Sequence, residues 1–330
     1  MKNYQQELDA LFNKWEEVSK KDGLIGFCRD GLLNKGDFHS EKRADMRTYW
    51  GRKRGKEDEL WHNAPKRILF LLKDPNKNPE DDMRTWMGRQ HRTIITGRFW
   101  KNIAMWLYGM NEIQQNGTYV PFDKANNPVV FSKAYDDLPI SIVNVKKESG
   151  GSTVRNETLI QYARKYGCYL KAEMEILNPN IVVCGGGRGT VLQIAQGIIY
   201  PQLKFERIND LVYFNKDMNI ILISCCHPSC RMSYKELYEK LMKSLQQHFE
   251  TTFTRLRVSS LLSPNGRHET NSACETLFLT WPYPTAMPSR NSMLLRVFFN
   301  LPSSNSMAST GGTPVSARRR MTTLLYSSGW

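Results

Sequence analysis

The stretch RILFLLKDPN, Arg67 to Asn76, decides how the rest of this chain is read. Its first half is an unbroken apolar run of strand length, without the alternation of a half-exposed strand. Runs of that kind belong to strands covered on both faces, as in a parallel sheet. Its second half, Lys-Asp-Pro-Asn, is turn chemistry that ends the strand and leaves a carboxylate, Asp74, at the tip.

Three later stretches repeat the signature: ISIVNV (Ile140–Val145), NIVVCG (Asn180–Gly185) and NIILIS (Asn219–Ser224). Segments of helical period separate them: RFWKNIAMWLYGM, NETLIQYARKYGCYLKAEMEIL and TVLQIAQGIIY. YKELYEKLMKSLQQHF follows the last run. Strands alternating with helices predict an α/β fold. The expected architecture is a three-layer sandwich with a central, mostly parallel four-stranded sheet flanked by helices. Ligands of such sheets sit beyond the carboxyl ends of the strands, so the residues after each run come next.

The chain divides into three parts. Residues 1–66 read as a helical and loop region packing on the core, with Leu8, Leu11, Phe12 and Trp15 forming one helical face. Residues 67–250 form the α/β domain. From Thr251 to Trp330 there is no Lys and no Asp, and Ser, Thr, Pro and Arg take over. No helix or strand period persists there, so 251–330 is expected to lack a stable fold. It reads either as a tail that grips phosphates through Arg318, Arg319 and Arg320, or as an appended sequence with no selected fold.

The 330 residues carry 8 Trp and 40% apolar side chains, enough for a substantial core. The formal charge of +14 suits an anionic partner, nucleic acid before acidic membrane, or serves general solubility. Seven cysteines form no regular framework, the first ten residues are polar, and no run is long enough to span a bilayer. A reduced, cytoplasmic protein is expected, without disulfides or membrane contact, and monomeric.

The second run is followed by NVKKESGGST, bringing Asn144, Lys146 and Lys147, and the third by GGGRGT. The latter matches neither G-x-G-x-x-G nor G-x-x-x-x-G-K-[ST], and close strand-to-helix packing is its expected purpose. The fourth run leads into ILISCCHPSCRMSY, Ile221 to Tyr234. Structural zinc sites need two ligand pairs, and no second Cys or His pair accompanies this one. Adjacent Cys225 and Cys226 also point to opposite faces of their strand. They read as packing residues, with no metal and no cofactor expected.

The order of these tips resembles the uracil-DNA glycosylase superfamily. LLKDPN is similar to its first active-site motif and HPSCRMSY to its His-Pro-Ser loop, while GRFWKNIAMWLYGM resembles the Asn-Arg-Phe-Trp helix of the mismatch-specific branch. IVNVKK and CYLKAEMEILNPNIVVCGGG resemble middle elements of the iron–sulfur branches. The resemblance spans Arg67 to Phe249. Leu72 stands where the family has Gly, Asn76 where it has Tyr or Gly, and Cys230 where it has Pro. Only Cys28 and Cys168 match cluster ligands, so no iron–sulfur cluster is expected.

The resemblance implies a DNA glycosylase that flips a base out of the stack and hydrolyses its N-glycosidic bond, acting on uracil or a related damaged base in base excision repair. Asp74 and His227 would be catalytic. Asn144, Asn76 and Trp86 would bind the base, Trp86 as an aromatic platform. Lys146, Lys147, Ser152, Ser229, Arg231 and Met232 would meet the DNA, with Arg231 or Met232 wedging into the vacated stack. A catalytically silent module that binds nucleic acid or a modified base on the same fold is the alternative. A nucleotide-dependent enzyme built on GGGRGT ranks third.

Overall fold

A computed structural model describes residues 2–42, 48–75, 82–85, 94–150 and 154–261. Among these residues nine strands run in chain order: β1 Gly31–Leu32, β2 Phe38–Lys42, β3 Thr48–Arg52, β4 Ile68–Leu72, β5 Ser141–Asn144, β6 Ile181–Gly185, β7 Glu206–Arg207, β8 Val212–Asn215 and β9 Ile220–Cys225. The helices are α1 Tyr4–Lys21, α2 Glu57–Asn63, α3 Arg98–Glu112, α4 Phe122–Ala125, α5 Pro128–Asp137, α6 Asn156–Leu177, α7 Thr190–Ile194 and α8 Tyr234–Leu261.

The α/β expectation is met, but the sheet is larger and mixed. Its order is β1-β5-β4-β6-β9-β8-β7. The four anticipated runs form a parallel block, β5-β4-β6-β9, with Leu72 level with Asn144 and Gly185 level with Cys225. Antiparallel β1 extends one edge, and antiparallel β8 and β7 extend the other. β2 and β3 form a separate hairpin.

Period-two alternation divides the apolar strand residues between two cores. Leu69, Leu71, Val143, Val182 and Leu222 face Leu8, Phe12 and Trp15 of α1 and Leu170 of α6. Ile68, Phe70, Ile142, Val183 and Ile223 face Trp106 of α3, Phe131 of α5 and Leu241 of α8. Strands buried on both sides explain why these runs are continuous rather than alternating.

Local sequence fixes the helix ends. The side chain of Asn3 accepts from the backbone N–H of Gln6, and Asn127 does the same for Val129 ahead of Pro128. Asn178 ends α6 in the left-handed conformation that asparagine tolerates. α8 continues past residue 250 to Leu261, beyond the expected start of the tail; 262–330 lies outside the described residues.

In chain order β4 comes first, β5 is laid on one side of it, and β6 on the other. The carboxyl ends of β4 and β6 therefore flank the switch point, where a doubly wound sheet opens a crevice. This is where a site belongs.

Candidate functional site

Four strand tips line the rim. Asp74 lies two residues past β4 and His227 two residues past β9, with the end of β6 between them. Two strand spacings put the two tips about 10 Å apart. The intervening tip is Gly185-Gly186, two residues with no side chain of their own. A Cβ on Gly185 would meet Leu72 Cδ2 at 2.6 Å, and Gly186 adopts a φ of 103°. Gly185 is thus needed for close approach to a neighbouring strand, and Gly186 for its left-handed backbone, rather than for the strand-to-helix packing expected of GGGRGT.

Asp74 is half-buried. Burial pushes its carboxyl above the usual carboxylate range, while the ammonium groups of Lys146 and Lys73 pull it back. A Cβ on Gly150 would lie 3.4 Å from Asp74 Oδ2, so the loop after β5 closes on the carboxylate from one side.

His227 is held from several directions. The backbone N–H of Ser229 donates to Nδ1 at 3.1 Å, which makes Nδ1 an acceptor and places the ring proton on Nε2. The ring of Phe99 lies 5.7 Å away, tilted by 31°. Burial and then Lys73 push the imidazole below its ordinary value. The ring is therefore neutral at pH 7 and offers one N–H donor.

The loop carrying His227 is fastened to α3. Asn102 donates to the Pro228 carbonyl at 2.6 Å, and Arg98 to the carbonyls of Cys230 and Met232 at 3.2 and 3.0 Å. Arg98 and Lys101 also sit over the Tyr234 ring, at 4.4 and 4.3 Å. The stretch GRFWKN is thus the clamp of the histidine loop. Its Arg-x-x-x-Asn spacing, one helical turn, was the signal available in the sequence.

The other anticipated residues fall into three groups. Lys146 lies half-buried beside Asp74, its ammonium donating to the Glu148 carbonyl. Ser229 and Arg231 are exposed on the histidine loop, and the Met232 sulfur rests 3.9 Å from that of Cys226. Asn76, Trp86 and Ser152 lie outside the described residues.

Two expectations need correction. Lys147 cannot meet phosphate: it is 0% exposed, paired with Asp30 and, at 2.7 Å, with Glu173. Burial would lower its pKa, but those two carboxylates raise it instead. The alternation Val143-Val145-Lys147 carries it onto the inward face of the sheet, over the rings of Phe12 and Trp15. Asn144 is likewise buried, at 1% exposure, and its amide donates to Asp30 Oδ2 at 3.1 Å and to the Met83 sulfur. Its amide N–H faces the protein interior, not the crevice.

Among the cysteines, Cys225 is an inward residue whose thiol burial pushes up to about 12, whereas Cys226 is exposed. Among the described residues no three His, Cys, Asp or Glu side chains gather in a metal-binding group, and no helix is long and apolar enough to cross a membrane. A cleft of about 630 Å³ runs along α1, lined by Asp9, Glu16, Arg29, Asp82 and Arg84 among others. Its cations are already matched: Arg29 to Glu16 at 3.1 Å, Arg84 to Asp9 and Asp82 at 2.9 and 2.6 Å. That internal neutralisation leaves little field for a ligand. The strand rim is the stronger candidate.

Comparison with protein-family models finds no match along the chain, and comparison with curated proteins finds none either. The geometry of the rim alone carries the functional reading.

Proposed function

We propose that this protein is a DNA N-glycosylase that hydrolyses the glycosidic bond of uracil or a related damaged base, with Asp74 and His227 as its catalytic residues. The observation that supports this reading is the pair itself: a partly buried carboxylate just past β4, and a neutral, Nε2-protonated imidazole just past β9 and beside Gly186.

Cleavage of an N-glycosidic bond builds positive charge on the sugar and negative charge on the departing base. Asp74, ionised, stabilises the sugar cation and orients the attacking water. His227 donates from Nε2 to the base oxygen that gathers charge. Phe99 supplies an aromatic surface beside the imidazole. Ser229 and Arg231, exposed on the histidine loop, meet the backbone, and Arg231 wedges into the vacated stack, since Met232 packs against the second core. Since Asn144 is held by Asp30, reading of the base edge falls to other groups.

The test uses uracil-containing single- and double-stranded oligonucleotides, followed by alkaline cleavage at abasic sites. Wild type should cut. His227→Ala should lower kcat by about 10²- to 10³-fold, the usual loss of one preorganised donor. Asp74→Asn should be slowed at least as much, with DNA affinity retained in both. Undiminished cutting by Asp74→Asn would remove the catalytic assignment. Binding without abasic sites would instead favour the silent base-binding module.

A further inference from the structure

We propose that Lys73 is the positioning residue of this site: one ammonium group, anchored on the Val154 carbonyl and reaching it past Gly186 and His227, that favours a charged Asp74 and a neutral His227 together. The inference rests on the glycosylase reading, because those are the two protonation states the reaction needs.

A Cβ on Gly186 would lie 3.4 Å from Lys73 Cδ and 3.4 Å from His227 Cβ, so the lysine stem and the histidine flank the same glycine. Lys73 precedes Asp74 in the chain, and its Nζ donates to the Val154 carbonyl at 2.8 Å. The side chain therefore spans the crevice floor from the histidine side to the loop before α6. Its charge acts on both groups. It favours the ionised carboxylate and disfavours the imidazolium, so a single charge acts in the useful direction on each.

The other charged and titratable groups nearby do not act on both residues. Lys146, from the loop after β5, acts on Asp74. Glu148 of that loop is bonded to Ser19 and Tyr162. Arg98 of α3 is engaged with the carbonyls of Cys230 and Met232. On the histidine loop itself, the thiols of Cys226 and Cys230 face each other, with Lys240 and Glu236 of α8 beside Cys226. The cation acting on the His227 ring is Lys73.

The test compares Lys73→Met and Lys73→Arg with wild type in two measurements. In uracil excision across pH, the acid limb of Lys73→Met should move to higher pH. Its rate should be about tenfold lower at the acid end and within about twofold of wild type at the alkaline end, while Lys73→Arg follows wild type throughout. A lysine that only bound phosphate would weaken affinity at every pH and leave the limb in place. In the second measurement, NMR titration of the His227 ring, Lys73→Met should titrate at higher pH than wild type. Unshifted titration and an unshifted limb in a folded Lys73→Met protein would overturn the inference. A shifted titration in a protein that cuts no DNA would uphold the electrostatic role and sink the glycosylase reading instead.

Discussion

Lys147 keeps its charge where no water reaches it, and it can do so only because Asp30 and Glu173 are there. Burial and Asp30 push the Glu173 carboxyl far up while Lys147 pulls it down, so the three groups behave as one unit. Removing one member of such a unit is far more damaging than replacing all of it. Lys147→Met should cost about 3–5 kcal/mol in urea denaturation, and adding Asp30→Asn and Glu173→Gln should recover part of that loss. The same residue shows where sequence reasoning stops. A lysine three residues beyond a strand is ordinarily solvated, and only contacts from residues 30 and 173 reveal the opposite. Asp74 and His227 were legible because strand-end chemistry is local. Nothing local marks Lys73, whose nearness to His227 arises across Gly186 of another strand.

At the level of elements, the strands that could be read were those buried on both faces. β1 and β7, two residues each, and β8 leave no periodic signal; they exist because a longer neighbour offers them an edge. That is why a four-stranded sheet was expected and seven strands are present. The helices of the second core approach closely at Gly109 of α3, where a Cβ would come within 2.6 Å of the Tyr238 hydroxyl and 2.9 Å of the Met242 sulfur. Tyr238 is fully buried and donates to the Val120 carbonyl at 2.7 Å, so it has no room to yield. Gly109→Ala should therefore destabilise by about 1–3 kcal/mol, although alanine is the better helix former. An unchanged melting temperature would show that α3 and α8 part without cost.

For the whole molecule, the boundary at the carboxyl end is set by packing rather than by composition. Leu245 and Phe249 of α8 are buried in the second core. A chain ending at Leu261 should melt cooperatively at the full-length temperature, whereas one ending at Met242 should lose both side chains and fail to fold. The cost there is about 2–5 kcal/mol for each large apolar residue. Circular dichroism on the two truncations checks this; equal melting of both would place the end of the fold upstream of Leu245. At the amino end, residues 1–66 do more than pack on the core. They supply β1 to the sheet, and their Cys28 N–H and Gly26 carbonyl pin the loop that closes on Asp74.

The pairing of Asp30 with Lys147 also has a history in time. The two stand 117 residues apart in the chain. At a synthesis rate of about 5–20 residues per second, the carboxylate leaves the ribosome roughly 6–23 seconds before its partner exists. Throughout that interval the first helix and strand have no parallel sheet to join. Until then Phe12 and Trp15 have Phe27 of their own segment to pack on but neither Leu170 of α6 nor the β5 face of the sheet.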